Sequence, residues 1–161
     1  MSAPMVTVFL PIGLDYYPLL RNIADGLRLN VDVLPPDFPF AFSAQRIGED
    51  HLLVEYDADS TDTTSEMQQW EKPSREYKLL LRGCGSCISI HYRNADLTKK
   101  CIIIIDSYLD HLSTLSVFEN GNGCLLRLSE VIQHCLSDST WSWERETFPD
   151  IAGVADSEWI D

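Results

Sequence analysis

Residues 77–106 read YKLLLRGCGSCISIHYRNADLTKKCIIIID, and the fold turns on how the three apolar runs in this stretch are placed. Tyr77–Arg82 is divided from Ser86–Tyr92 by Gly83-Cys84-Gly85, and Ser86–Tyr92 from Lys100–Asp106 by a break at Asn94-Ala95-Asp96. Glycine, asparagine and aspartate tolerate turn dihedrals, so the stretch predicts two β-hairpins in series. Cys101–Ile105 offers no polar side chain on either face. A strand of that composition needs cover on both sides, which places it in the middle of the sheet.

Toward the N-terminus, Met5–Leu10 is a short apolar run stopped by Pro11, and it predicts a strand. Asp15 to Asp25 predicts a helix. Pro18 falls in its first turn, where a missing N–H is harmless, and Tyr16, Leu19, Leu20, Ile23 and Ala24 share one face. Gly26 is placed to stop it. Leu27–Val33 alternates four apolar with three polar residues, the pattern of a half-buried strand, and Pro35-Pro36 closes it. Phe38, Phe40 and Phe42 alternate in the next segment, which turns at Gly48-Glu49-Asp50 into a strand over His51–Asp57. A polar stretch of about eighteen residues follows, Asp57 to Ser74; connections this long are uncommon in compact domains. From Glu49 to Glu66 the chain carries Glu49, Asp50, Glu55, Asp57, Asp59, Asp62 and Glu66 and no Lys or Arg, and Trp70 comes just after.

Beyond Asp106, Ser107 can cap a helix that carries Tyr108, Leu109, Leu112, Leu115 and Phe118 on one face; a strand over Thr114–Phe118 is the alternative. Asn120-Gly121-Asn122-Gly123 breaks the chain. Leu125, Leu128, Val131, Ile132, Cys135 and Leu136 then recur at three and four residues, which predicts a helix over Cys124–Ser137. Asp138–Asp161 differs in composition, with seven acidic residues, one Arg, and Trp141, Trp143 and Trp159. The chain therefore divides into one α+β domain over 1–137 and an acidic, tryptophan-bearing tail over 138–161 packed on it. The domain is a mostly antiparallel sheet of about six to seven strands with about three helices.

A chain of 161 residues is one domain's worth. Folding at this size buries roughly 68–70% of the unfolded surface, enough for a core without metal or disulfide staples. The five cysteines are odd in number and scattered, three of them inside apolar periodic segments, as reduced buried thiols are. The N-terminus has no basic region ahead of its apolar run, and no apolar stretch reaches the roughly 18 residues that span a membrane. These features predict a cytoplasmic location. Asp and Glu outnumber Lys and Arg by 25 to 12, a net charge of −13. Such a surface repels nucleic acids and anionic membranes at long range and attracts basic partners.

The chemical motifs fail one by one. Cys84-Gly-Ser-Cys87 would need to open a helix to lower a thiol pKa, yet Ile88-Ser-Ile-His-Tyr alternates like a strand. A zinc set of Cys84, Cys87, His91 and Cys101 fails on distance. Four strand steps put Cys87 and His91 about 13 Å apart, whereas zinc ligands lie about 2.0–2.3 Å from the metal. Asp57-Ala-Asp59-Ser-Thr61-Asp62 starts like a calcium loop, but has Asp62 where glycine belongs and Gln68 where the closing Glu belongs. His51 and His134 sit beside apolar residues and His111 on a polar helix side; none has a carboxylate partner fixed by spacing. There is no phosphate loop, GxSxG or HExxH. No cofactor and no metal are expected.

Charge and the missing motifs predict a protein-binding inhibitor whose acidic surface meets a basic protein. In its most concrete form this is an immunity protein that occludes the positive site of a bacterial toxin, for example a nuclease domain. The residues expected to carry it are Glu55, Asp57, Asp59, Asp62, Glu66 and Trp70, together with Trp141, Trp143, Glu144, Glu146 and Asp150 of the tail. Tryptophans would anchor and carboxylates would steer. A viral mimic of nucleic acid acting on a host DNA-binding protein would use the same surface. An enzyme of unrecognised class would instead show itself as a ligand-sized pocket holding His91, Ser89 and a carboxylate.

Overall fold

The computed structural model describes residues 4–31, 41–48, 50–60 and 75–144. Phe38, Phe40, Asp62, Glu66, Trp70, Glu146, Asp150 and Trp159 lie outside them. Among the described residues the strands are β1 (Met5–Pro11), β2 (Asn30–Val31), β3 (Ala41–Arg46), β4 (Leu52–Asp57), β5 (Cys84–Tyr92), β6 (Val117–Glu119) and β7 (Leu125–Arg127). The helices are α1 (Tyr17–Gly26), α2 (Arg75–Arg82), α3 (Ala95–Leu109) and α4 (Leu128–Ser137), with a 3-10 turn at Asp110–Leu115. The strands make one antiparallel sheet in the order β2-β3-β4-β5-β1-β6-β7. The α+β class and the strand count expected from the sequence both hold, with four helices among the described residues where about three are expected.

The stretch 77–106 is not two hairpins. Only its middle run is a strand, β5, and β5 lies beside β1 at the centre of the sheet. Tyr77–Arg82 belongs to α2. Tyr77 and Leu81, four residues apart, are buried against Phe9, Val117 and Leu125, while Leu79 between them is exposed. Cys101–Ile105 belongs to α3. The buried residues of α3 are Leu97, Thr98, Cys101, Ile102, Ile105 and Leu109, one face of a helix, and Ile103 is turned toward solvent. Asn94 is a helix cap rather than a turn: its Oδ1 accepts the backbone N–H groups of Asp96 and Leu97 at 2.8 and 3.3 Å.

Three further boundaries move. Of the expected Leu27–Val33 strand, Asn30–Val31 is β2, while Leu27–Leu29 is the turn that closes α1. The Leu27 N–H donates to Ile23 O and the Leu29 N–H to Ala24 O, and Arg28 takes a left-handed φ of 55° between them. Leu27 and Leu29 are buried and Arg28 is exposed, so the alternation is real although the backbone is not extended. No helix starts at Ser107: α3 runs through it, and the alternative strand near Thr114–Phe118 is found as β6. Residues 125–127 leave the expected Cys124–Ser137 helix to pair with β6, Phe118 opposite Leu126.

Alternation sets the two faces of the sheet. Val6, Val8, Leu10, Leu52, Val54, Ile88 and Ile90 point to one side, where α1, α3 and α4 complete the main core. The short stretch after α4 packs into that core. Trp143 is fully buried, donates its indole N–H to Tyr92 Oη at 2.9 Å, and lies edge-on to the rings of Tyr92 and Phe118. Trp141 is buried and stacks on His134 at 4.8 Å. On the opposite side, α2 covers a smaller cluster of Phe9, Cys84, Cys87, Val117 and Leu125.

Candidate functional site

The second face of the sheet is polar where α2 does not reach. Cross-strand register lines up Ser43 of β3, Glu55 of β4, Ser89 of β5, Thr7 of β1 and Glu119 of β6 as successive direct neighbours. The flanking rows place Leu53 opposite His91 and His91 opposite Met5, and Asp57 opposite Cys87 and Cys87 opposite Phe9. Directly opposed side chains lie about 4.5–5.5 Å apart at Cβ, so these rows form one continuous surface. A depression of about 490 Å³ opens there, lined by Met5, Glu55, Asp57, Cys87, Ser89 and His91.

Its electrostatics are those of a carboxylate site. His91 Nε2 lies 3.0 Å from Glu55 Oε1, with both side chains part-exposed. Asp57 accepts the Asp59 N–H at 2.9 Å, which ties the strand end into a tight turn. No Lys or Arg lies within 4 Å of Glu55 or Asp57 among the described residues, in contrast to Asp25, Asp50 and Glu76, which pair with Arg21, Arg46 and Arg127. Cys87 is no nucleophile here: burial, with a smaller push from Asp57, drives its thiol pKa up to about 12. Ser89 stands opposite Glu55, and the one histidine contact made by this group is to Glu55. A serine nucleophile would need the imidazole between itself and the carboxylate, which is not the order found. What the group can do is receive a cationic or hydrogen-bond-donating group, with Glu55 and Asp57 as acceptors. His91, with its second nitrogen, is also able to move a proton.

Of the residues expected from the sequence, Glu55, Asp57 and Asp59 come together at the end of β4. Glu144 is exposed but lies apart, near Tyr92 on the helix-bearing side of the sheet. Trp141 and Trp143 are core residues, not partner-facing anchors, because both are at least nine-tenths buried beneath the chain's own helices. Asp62, Glu66, Trp70, Glu146 and Asp150 are outside the described residues. Ser89 and His91, weighed only as the mark of an enzyme, do share a depression with a carboxylate. The fourteen acidic and ten basic residues of the described segments differ by four, so nine of the thirteen net negative charges belong to the remaining segments. A scan against protein-family models finds no match, and searches of curated proteins and of solved structures return none.

Proposed function

We propose that this chain is a binding protein that neutralises a basic protein. In the most concrete form it is an immunity protein whose carboxylate face occupies the positive site of a bacterial toxin, for example a nuclease domain. The observation that carries this reading is the pair Glu55 and Asp57, exposed beside one depression of the sheet with no Lys or Arg of the described chain to neutralise them. Carboxylates so placed meet an incoming guanidinium or ammonium at the positions where phosphate oxygens would otherwise sit. The overall charge of −13 adds long-range attraction.

The test is co-expression with basic proteins encoded beside its gene, followed by size-exclusion chromatography at low salt. A stable complex that weakens with added salt, and by about tenfold or more in Glu55→Gln/Asp57→Asn, supports the reading. A complex indifferent to both residues, or no basic protein retained, refutes it. A second reading, an acid–base enzyme, draws on the His91–Glu55 contact beside Ser89. There His91 would take a proton from a bound hydroxyl or water while Glu55 orients the ring. It requires turnover that His91→Ala abolishes while the fold is retained.

A further inference from the structure

A second depression, on the other side of the sheet, carries the opposite charge. It is lined by Gly26, Leu27 and Arg28 at the end of α1, Arg46 at the end of β3, and Leu97 and Lys100 in the first turns of α3. Three of the ten basic residues of the described segments thus converge from three elements on about 180 Å³. In a chain with more than twice as many acidic as basic residues, the carboxylates are conspicuous by their placement. Asp50 holds Arg46 at 3.1 Å, and Asp25 is turned to Arg21. Among the described residues no carboxylate lies within 4 Å of Arg28 or Lys100.

Arg28 sits where a side chain is least welcome. Its φ of 55° is the left-handed conformation that follows a helix end, a position glycine fills without steric strain. Buried Leu27 and Leu29 on either side, and the Leu29 N–H bond to Ala24 O, fix the backbone there and hold the guanidinium outward. A strained arginine in place of glycine points to a use for its charge. Lys100 stands one turn inside the positive end of the α3 dipole. The distant carboxylates act weakly on this site, since screening in physiological salt sets in over about 8 Å.

We propose that this depression binds a phosphate group, free or as a small monoester, gripped by the guanidinium groups of Arg28 and Arg46 and by the Lys100 ammonium. Paired arginines suit a tetrahedral oxyanion because their planar forks donate two parallel hydrogen bonds, and Arg46 has donors left beyond those facing Asp50. The depression, about 180 Å³ and open to solvent, has room for one oxyanion and part of its hydration. The inference is independent of the carboxylate face, from which the thickness of the sheet separates it.

The experiment is an amide NMR titration of the full chain at constant ionic strength with inorganic phosphate, glycerol phosphate and chloride. Saturable shifts at Arg28, Leu29, Leu97 and Lys100 with phosphate, and none with chloride, are expected. Arg28→Gly relieves the backbone strain, so it should fold at least as well as the parent. Phosphate affinity should drop about tenfold, as loss of a charged hydrogen bond implies. Lys100→Gln, at an exposed position, should weaken it independently. Glycerol phosphate binding alongside phosphate identifies a monoester site, and phosphate alone a free-anion site. Equal responses to chloride and phosphate, or unchanged affinity in Arg28→Gly/Lys100→Gln, would overturn the proposal.

Discussion

Replacing Trp143 with Phe tests whether the stretch just after α4 is built into the core or merely lies on it. The indole is fully buried, meets the rings of Tyr92 and Phe118 at centroid distances of 6.0 and 5.9 Å, and donates to Tyr92 Oη. Truncating a buried tryptophan to alanine costs about 3–5 kcal/mol. Phenylalanine keeps part of the ring, so the packing loss is about 2 kcal/mol, and the lost N–H bond adds about 1 kcal/mol. A total of about 3 kcal/mol corresponds to a drop in melting temperature of roughly 6–12 °C at this chain length. Urea unfolding followed by far-UV circular dichroism reads the change without depending on tryptophan emission. Tyr92→Phe alone and combined with Trp143→Phe closes a double-mutant cycle, with a coupling of about 0.5–1.5 kcal/mol expected for the shared bond. A surface tryptophan would give a change within about 0.5 kcal/mol. That result for Trp143→Phe, or zero coupling to Tyr92, refutes the placement of Trp143 inside the core.

Other expectations follow from single residues. Burial raises the pKa of Glu119 despite the bonds its Oε1 accepts from the Gly121 and Gly123 N–H groups at 2.8 and 2.9 Å. Its folded pKa therefore lies above its unfolded one, so its stabilising contribution is full below the unfolded pKa and fades as pH rises through the folded one. The parent should gain stability relative to Glu119→Gln as pH is lowered from about 7 to 4, and a flat difference across that range would contradict the burial of this carboxyl. Asn94→Ala removes the cap of α3 and should cost about 1 kcal/mol by chemical denaturation, with Asn94→Asp recovering most of it. Burial holds the Cys84, Cys87 and Cys101 thiols up near pKa 12. At pH 8 an aromatic disulfide reagent should leave these three unmodified in the native chain and reach all five cysteines in denaturant; prompt native modification of Cys101 would place it outside the core.

Where local pattern and long-range pairing agreed, the sequence was legible. Strand β4 and helix α1 are readable because their alternation, or their three-and-four spacing, is also their burial pattern, and β1 because its apolar run is buried along almost its whole length. Ile102–Ile105 misled because branched residues favour strands as a class, while the decisive spacing runs through Leu97, Thr98, Cys101, Ile102, Ile105 and Leu109. Asn94 serves a turn and a helix cap equally well, and only the periodicity after it tells them apart. Leu125–Leu126 has the hydrophobic spacing of the helix that follows, and joins the sheet because β6 supplies a partner. The carboxylates of the acidic face could be named from composition, since Glu55 and Asp57 fall on one side of an alternating strand. Their meeting with Ser89 and His91 depends on β4–β5 register, which no local signal carries. Arg28, Arg46 and Lys100 are separated by eighteen and fifty-four residues, and nothing in the sequence announces their convergence.

Among the described residues the sheet ends on one side in β7, which spans only Leu125–Arg127 before the chain turns into α4. Another chain seeking to extend the sheet there would find an edge of only three residues, too little to template a lasting strand. Recruitment by strand addition is thus closed off along that border, and a visiting molecule has to engage side chains rather than main chain.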